Sequence, residues 1–212
     1  MTSTSNDIRD VLRRFATVAR PIIRENFSET SCIGSTAITI RVLEHYKIKA
    51  VPFPCRVLVM NPRFVELVNQ FGRYPTHEEL LEWTNKDTAW SVGVGYSLND
   101  VGADVHGPVV GIHAYVGHLI VIANDEYMVD ASIDQAARPA KQLVVPPVLV
   151  MRIPRNFRRG REKFSFVFDQ GTALLYEPQP KSGVWQNAPD WKDKNRHTVS
   201  AGRILQEMQT IY

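Results

Sequence analysis

From residue 33 to about residue 46, apolar residues recur at helical spacing at Ile33, Ala37, Ile40 and Leu43. Ile38 and Val42 widen that face until little of the helix is left for solvent. A helix of this kind belongs in the centre of a fold, where other elements cover it on several sides. The chain has 212 residues, 44% hydrophobic and 22% charged, which is enough for one such core and short for two.

The covering elements are legible on both sides of it. Residues 6–25 carry Ile8, Val11, Leu12, Phe15, Val18 and Ile22 at spacings of three and four. That pattern predicts an amphipathic helix with Ser5 or Asn6 as N-cap and a kink or break at Pro21. A polar link, residues 28–31, leads to Cys32. After the central helix, residues 55–60 read as a buried strand ended by Asn61 and Pro62. Residues 63–71 and 76–84 are short helical candidates, the second opening on Thr76 with Glu78 and Glu79 in its first turn. Residues 89–108 are rich in Gly, Ser, Asn and Asp and predict a long loop. Strands are expected at 109–113 and 117–123, and the second turns at Asn124 and Asp125 into a return strand at 126–130. Further strands at 147–153, 163–169 and 172–176 complete an antiparallel sheet. Residues 177–197 hold three prolines and the tryptophans Trp185 and Trp191 and read as a surface strap, followed by a short helix containing Ile204, Met208 and Ile211. The fold class is therefore α+β, a helix packed on an antiparallel sheet.

Charge excludes some functions. Lys plus Arg is 25 against 22 for Asp plus Glu, and a balance of +3 gives no general attraction to nucleic acid. The six charges of Arg152, Arg155, Arg158, Arg159, Arg161 and Lys163 read as a solvated basic loop. The first twenty residues are charged throughout, and no stretch approaches the roughly eighteen apolar residues of a membrane span, so a cytoplasmic location is expected. In that reducing compartment Cys32 and Cys55 are expected as free thiols. No Cys-x-x-Cys or His-Glu-x-x-His spacing exists, and Gly93-Val94-Gly95 lacks the rest of a dinucleotide fingerprint, so neither metal nor cofactor is expected.

The chemistry-bearing residues are Cys32, His118 and Asp130. Cysteine is a nucleophile as the thiolate, and unpaired N–H groups at a helix N-terminus favour that anion. Cys32 stands where the central helix begins, whereas Cys55 lies inside an apolar strand and reads as a packed core thiol. His118 opens the apolar run 119–122, and Asp130 ends the return strand. With residues 123–125 as the hairpin loop, His118 falls directly opposite Asp130, within reach of an imidazole–carboxylate hydrogen bond. His113 competes as the base and Asp134 as the orienting carboxylate. An oxyanion hole would draw on the Cys32 backbone N–H, while Asn26 and Ser31 read as ordinary loop or cap residues.

The run Ser31-Cys32-Ile33-Gly34-Ser35-Thr36-Ala37, with Val42-Leu43 and Lys47-Ile48-Lys49-Ala50 behind it, resembles the nucleophile helix of transglutaminase-like proteins. Gly117-His118-Leu119-Ile120-Val121-Ile122 and Tyr127-Met128-Val129-Asp130-Ala131-Ser132 resemble that family's histidine strand and aspartate strand. Lys47 replaces the usual glycine, and Ala131 the usual proline. The resemblance implies a papain-like or transglutaminase-like catalytic domain over 1–176, with 61–115 as an insertion and 177–212 as a C-terminal strap and helix. It implies a cysteine-nucleophile hydrolase or acyltransferase, a peptidase, amidase or deamidase acting on a protein or peptide-like substrate. Transfer to an amine acceptor, and a non-catalytic binding or regulatory protein on the same scaffold, are the alternative readings.

Overall fold

The computed structural model describes residues 7–27, 32–96, 104–106, 117–179 and 183–211. Helix α1 (Ile8–Asn26) is capped by Asp7, whose carboxylate accepts the Arg9 N–H at 3.1 Å, so the cap falls just after the positions expected for it. The helix runs on through Pro21, where a kink or break was expected. Phe15 and Ala19 before the proline and Ile22 and Ile23 after it are all buried along one stripe, and that burial holds the last turn in line.

Helix α2 (Cys32–His45) is enclosed, as its apolar girth demands. A Cβ on Gly34 would stand 2.5 Å from the Phe27 ring, so the end of α1 and the start of α2 can close on each other only with glycine there. Strand β1 (Ala50–Met60) starts five residues earlier than the sequence suggests. Pro52 and Pro54 obscure its first half. The Pro54 carbonyl accepts from Gln179 on the side away from the neighbouring strand. Pro52 shares that orientation, so the two missing N–H groups cost the ladder nothing.

After α3 (Pro62–Phe71) and α4 (His77–Asp87), which opens with a capping box between Thr76 and Glu79, come β2 (Ser91–Val94) and β3 (Asp104–His106). Both strands lie inside the segment expected as a loop. Strands β4 (His118–Ala123), β5 (Tyr127–Asp130), β6 (Leu149–Arg152), β7 (Phe164–Val167) and β8 (Ala173–Pro178) follow. The strand expected at 109–113 falls outside the described residues.

The registers reveal how β2 and β4 are related. Cys55 pairs with both Pro178 and His118, and residues 57–60 pair with both β8 and β2. β2 and β4 therefore share one edge of β1 and form a single antiparallel strand interrupted between Val94 and His118. Gly95, at φ +80°, sits where that break closes, and a Cβ there would lie 2.5 Å from the Gly117 carbonyl carbon and the His118 nitrogen. Among the described residues every strand pairing is antiparallel except that of β2 with β3.

Residues 121, 123, 127 and 129 face α1, α2 and α7 (Lys194–Thr210), the helix that follows the single turn α6 (Pro189–Lys192). Helix α7 is longer than the short terminal helix expected, because Ala201, Ile204 and Met208 extend the same buried stripe against α1 and α2. On the opposite face Cys55, Val57, Val59, Ile120, Ile122, Met128 and Tyr176 surround Phe157, which the short α5 (Arg155–Arg158) inserts. Within the basic stretch Arg152 pairs with Glu126, Arg158 donates to the Asp125 carbonyl, and Lys163 pairs with Glu177.

The hairpin differs from expectation in register. Ala123 pairs with Tyr127, so the loop is 124–126, one residue further on than expected. Asn124 and Asp125 both take positive φ, 48° and 58°, which these two residue types tolerate. Continuing the register sets Ile120, not His118, opposite Asp130. The shift is two residues, so it keeps every side chain on its expected face.

Candidate functional site

His118 is the first residue after the break in the strand beside β1, and Asp130 is the last residue of β5. Diagonal neighbours two residues apart on one face remain within reach of a long side chain. The His118 Nε2–H accordingly donates to Asp130 Oδ2 at 2.7 Å, with both side chains wholly buried. Cys32, the first residue of α2, lies near enough to the same imidazole to help raise it. Asp130 occupies the in-plane position on Nε2, so any second in-plane partner of the ring must address Nδ1. One turn into α2, the Thr36 hydroxyl donates to the Leu119 carbonyl at 2.8 Å, pinning the start of the helix to the start of β4. The structure thus brings Cys32, His118 and Asp130 together, and the Cys32 N–H is among the helix-opening donors that α2 itself cannot satisfy.

The carboxylate is held from every side. Oδ2 also accepts from the Tyr176 hydroxyl at 2.9 Å, while Oδ1 accepts from the Ser132 N–H at 3.1 Å and the Ser132 hydroxyl at 3.4 Å. Burial alone would push the Asp130 carboxyl up, but the His118 charge and these hydrogen bonds outweigh it and hold it below the usual carboxylate range. Burial likewise disfavours a charged His118. The Asp130 charge, then the hydrogen bonds to Asp130 and Cys32, overcome it and raise the imidazole. The two shifts agree in describing an imidazolium–carboxylate pair. Burial first, then the Asp130 charge, pushes Tyr176 well up and keeps it a donor. Cys55, across from His118 on β1 and fully buried, is pushed up by burial and then by Asp130 and Cys32, and so remains a thiol.

The competing residues lie elsewhere. Asp134 forms a fork with the buried Arg20, whose Nε donates to Oδ2 at 2.8 Å and whose Nη2 lies 2.6 Å from Oδ1. It clamps the 3₁₀ turn Ile133–Ala136 to α1. Asn26 donates to the Ile22 carbonyl within α1. His113 and Ser31 lie outside the described residues.

Three residues at the site had no distinguishing signal in the sequence. Tyr176 and Ser132 hold the carboxylate, and Gln135 brings Nε2 to 3.4 Å from His118 Nδ1. The strap also reaches the site. Trp185 packs against Cys32 and Leu119, with Trp191 edge-on to it at 4.5 Å between ring centres, and Cys32 is left 7% exposed. Among the described residues there is no group of three potential metal ligands, and no helix is long and apolar enough to cross a membrane. No protein-family model, curated protein or solved structure matches the chain.

Proposed function

We propose that this chain is a thiol-dependent acyl-transfer enzyme with a papain-like or transglutaminase-like arrangement, in which Cys32 is the nucleophile, His118 the proton carrier and Asp130 its orienting carboxylate. The observation that carries the reading is the buried His118–Asp130 hydrogen bond at 2.7 Å, beside an imidazole that the Cys32 sulfur at the start of α2 helps to raise. Four donors hold the Asp130 carboxylate, one of them the imidazole that it orients.

In the reaction His118 takes the thiol proton of Cys32 as the sulfur becomes the nucleophile. The sulfur attacks the carbonyl carbon of a carboxamide or peptide bond, forming a C–S bond while the π electron pair moves to oxygen. Collapse restores the carbonyl and breaks the C–N bond as Nδ1–H protonates the leaving amine. Water or a second amine, deprotonated by the now neutral imidazole, then resolves the thioester. Hydrolysis of a protein or peptide-like substrate is the first reading. The protein is incubated with a panel of peptide amides and p-nitrophenyl esters, and its intact mass is followed. The expected result is an acyl adduct on Cys32 that a Cys32→Ala variant lacks.

A second reading is a non-catalytic binding protein on the same scaffold, favoured by the packing of Trp185 against Cys32, which leaves the cysteine 7% exposed. It predicts no adduct with any member of the panel.

A further inference from the structure

Cys32 is buried in a small apolar cluster with Leu119 and Trp185, against which Ile33 and Trp191 also pack. Cys32 and Ile33 belong to the enclosed helix α2, and Leu119 belongs to β4, whose six residues are all buried. Neither element can withdraw from the sulfur without breaking the core. Trp185 and Trp191 stand instead on two isolated turns, the 3₁₀ turn Val184–Asn187 and α6. Of residues 183–193, Trp185 alone is buried. The strap therefore presses a single indole into the site and leaves the rest of itself towards the surface.

The two turns are built as one unit. The Ala188 N–H donates to the Trp185 carbonyl at 3.1 Å and the Trp191 N–H to the Ala188 carbonyl at 3.0 Å, and the two indoles meet edge-on. The far end of the unit is fastened to α7, where the Nε2–H of His197 donates to the Asp190 carbonyl at 2.6 Å. His197 is itself buried and stacked on Phe27, so this attachment is firm. A carbonyl carbon has to reach bonding distance of the sulfur to be attacked. A buried cysteine packed against an indole does not allow it.

We propose that residues 183–193 are an autoinhibitory cover over Cys32, which swings on its attachment to α7 and withdraws Trp185 before a substrate is attacked. What the cover inhibits rests on the acyl-transfer reading above. Closing buries an indole that opening returns to water, so the closed form dominates. The cover opens and closes rapidly, and Cys32 reacts at its intrinsic rate multiplied by the open fraction. In the wild type that still puts Cys32 ahead of Cys55, which lies in the core with no cover to lift.

Iodoacetamide reads the open fraction. The sulfur displaces iodide, forming a C–S bond as the C–I bond breaks, and peptide mass spectrometry follows Cys32 and Cys55 separately. Trp185→Ala removes the buried side chain that holds the cover shut and is expected to speed alkylation of Cys32 by about 10- to 100-fold. Trp191→Ala keeps Trp185 but takes away its edge-on partner, and is expected to speed it by about 2- to 10-fold. Cys55 should stay unmodified in both. Alkylation of Cys32 unchanged or slowed in Trp185→Ala would overturn the proposal, because the strap would then not limit access. A rise shared by Cys55 would overturn it as well, since the strap would then be part of the core. Faster alkylation in Trp185→Ala, with no acetylation of Cys32 by p-nitrophenyl acetate in either protein, would uphold the cover and remove the acyl-transfer reading.

Discussion

Replacing Tyr176 with phenylalanine isolates one strand of the network around Asp130. The Tyr176 ring is fully buried and meets Phe157 edge-on at 6.4 Å, contacts that phenylalanine keeps, so the change removes one oxygen and leaves the packing in place. What is lost is a 2.9 Å hydrogen bond to a wholly buried carboxylate, which retains His118 and the two Ser132 donors. A hydrogen bond to a charged group contributes about 1.5–3 kcal/mol. In a chain of this size each kcal/mol moves the melting temperature by about 2–4 °C, so Tyr176→Phe is expected to lower it by roughly 3–12 °C. Urea unfolding followed by tryptophan fluorescence gives the free energy directly. A cycle with Asp130→Asn should return a coupling of about 1 kcal/mol or more between the two sites. A loss below about 0.5 kcal/mol, with no coupling, would refute the argument that Tyr176 sustains a buried anion.

The His118–Asp130 pair also fixes a pH dependence. His118 is raised from 6.5 to about 10, so its contribution is complete below about pH 6.5 and is lost as the pH rises through about 10. Asp130 is lowered, so its contribution is present above the ordinary carboxylate value of 3.8 and is lost as the pH falls through its own lower value. The stability difference between wild type and His118→Gln is therefore expected to be greatest between about pH 4 and 6.5 and to shrink towards pH 10, as thermal melts across that range would show. Gly95→Ala places a Cβ 2.5 Å from backbone atoms of Gly117 and His118 at a φ of +80°. It is expected to lower the melting temperature and to slow alkylation of Cys32 together, measured by calorimetry and peptide mass spectrometry.

Much of this arrangement was legible because it depends on local chemistry. The girth of α2 announced a buried helix beginning at Cys32, and the apolar runs around Asn124 and Asp125 announced the hairpin that carries His118 and Asp130. The exact register was not legible, since Asn124 and Asp125 serve a loop over 123–125 as readily as one over 124–126. The two-residue period of a strand protected the face assignment from that error.

Long-range partners left no comparable trace. Tyr176 reaches Asp130 across a sequence separation of 46 residues, and nothing near Tyr176 distinguishes its hydroxyl from that of any other strand tyrosine. The first half of β1 was concealed by Pro52 and Pro54, whose tolerance depends on which edge of the strand is paired. β2 hid in a glycine-rich stretch because its four residues are completed by β4, which resumes the same edge at His118.

The central claim is that one sulfur is activated by one imidazole while the other is sealed in the core. Wild-type protein and His118→Ala are treated with iodoacetamide at neutral pH, and carboxamidomethylation of Cys32 and Cys55 is read over time by peptide mass spectrometry. The account predicts fast modification of Cys32, none of Cys55 until the protein unfolds, and a marked slowing at Cys32 in the variant. Slow, equal modification of both cysteines, or a Cys32 rate indifferent to the loss of His118, would contradict it.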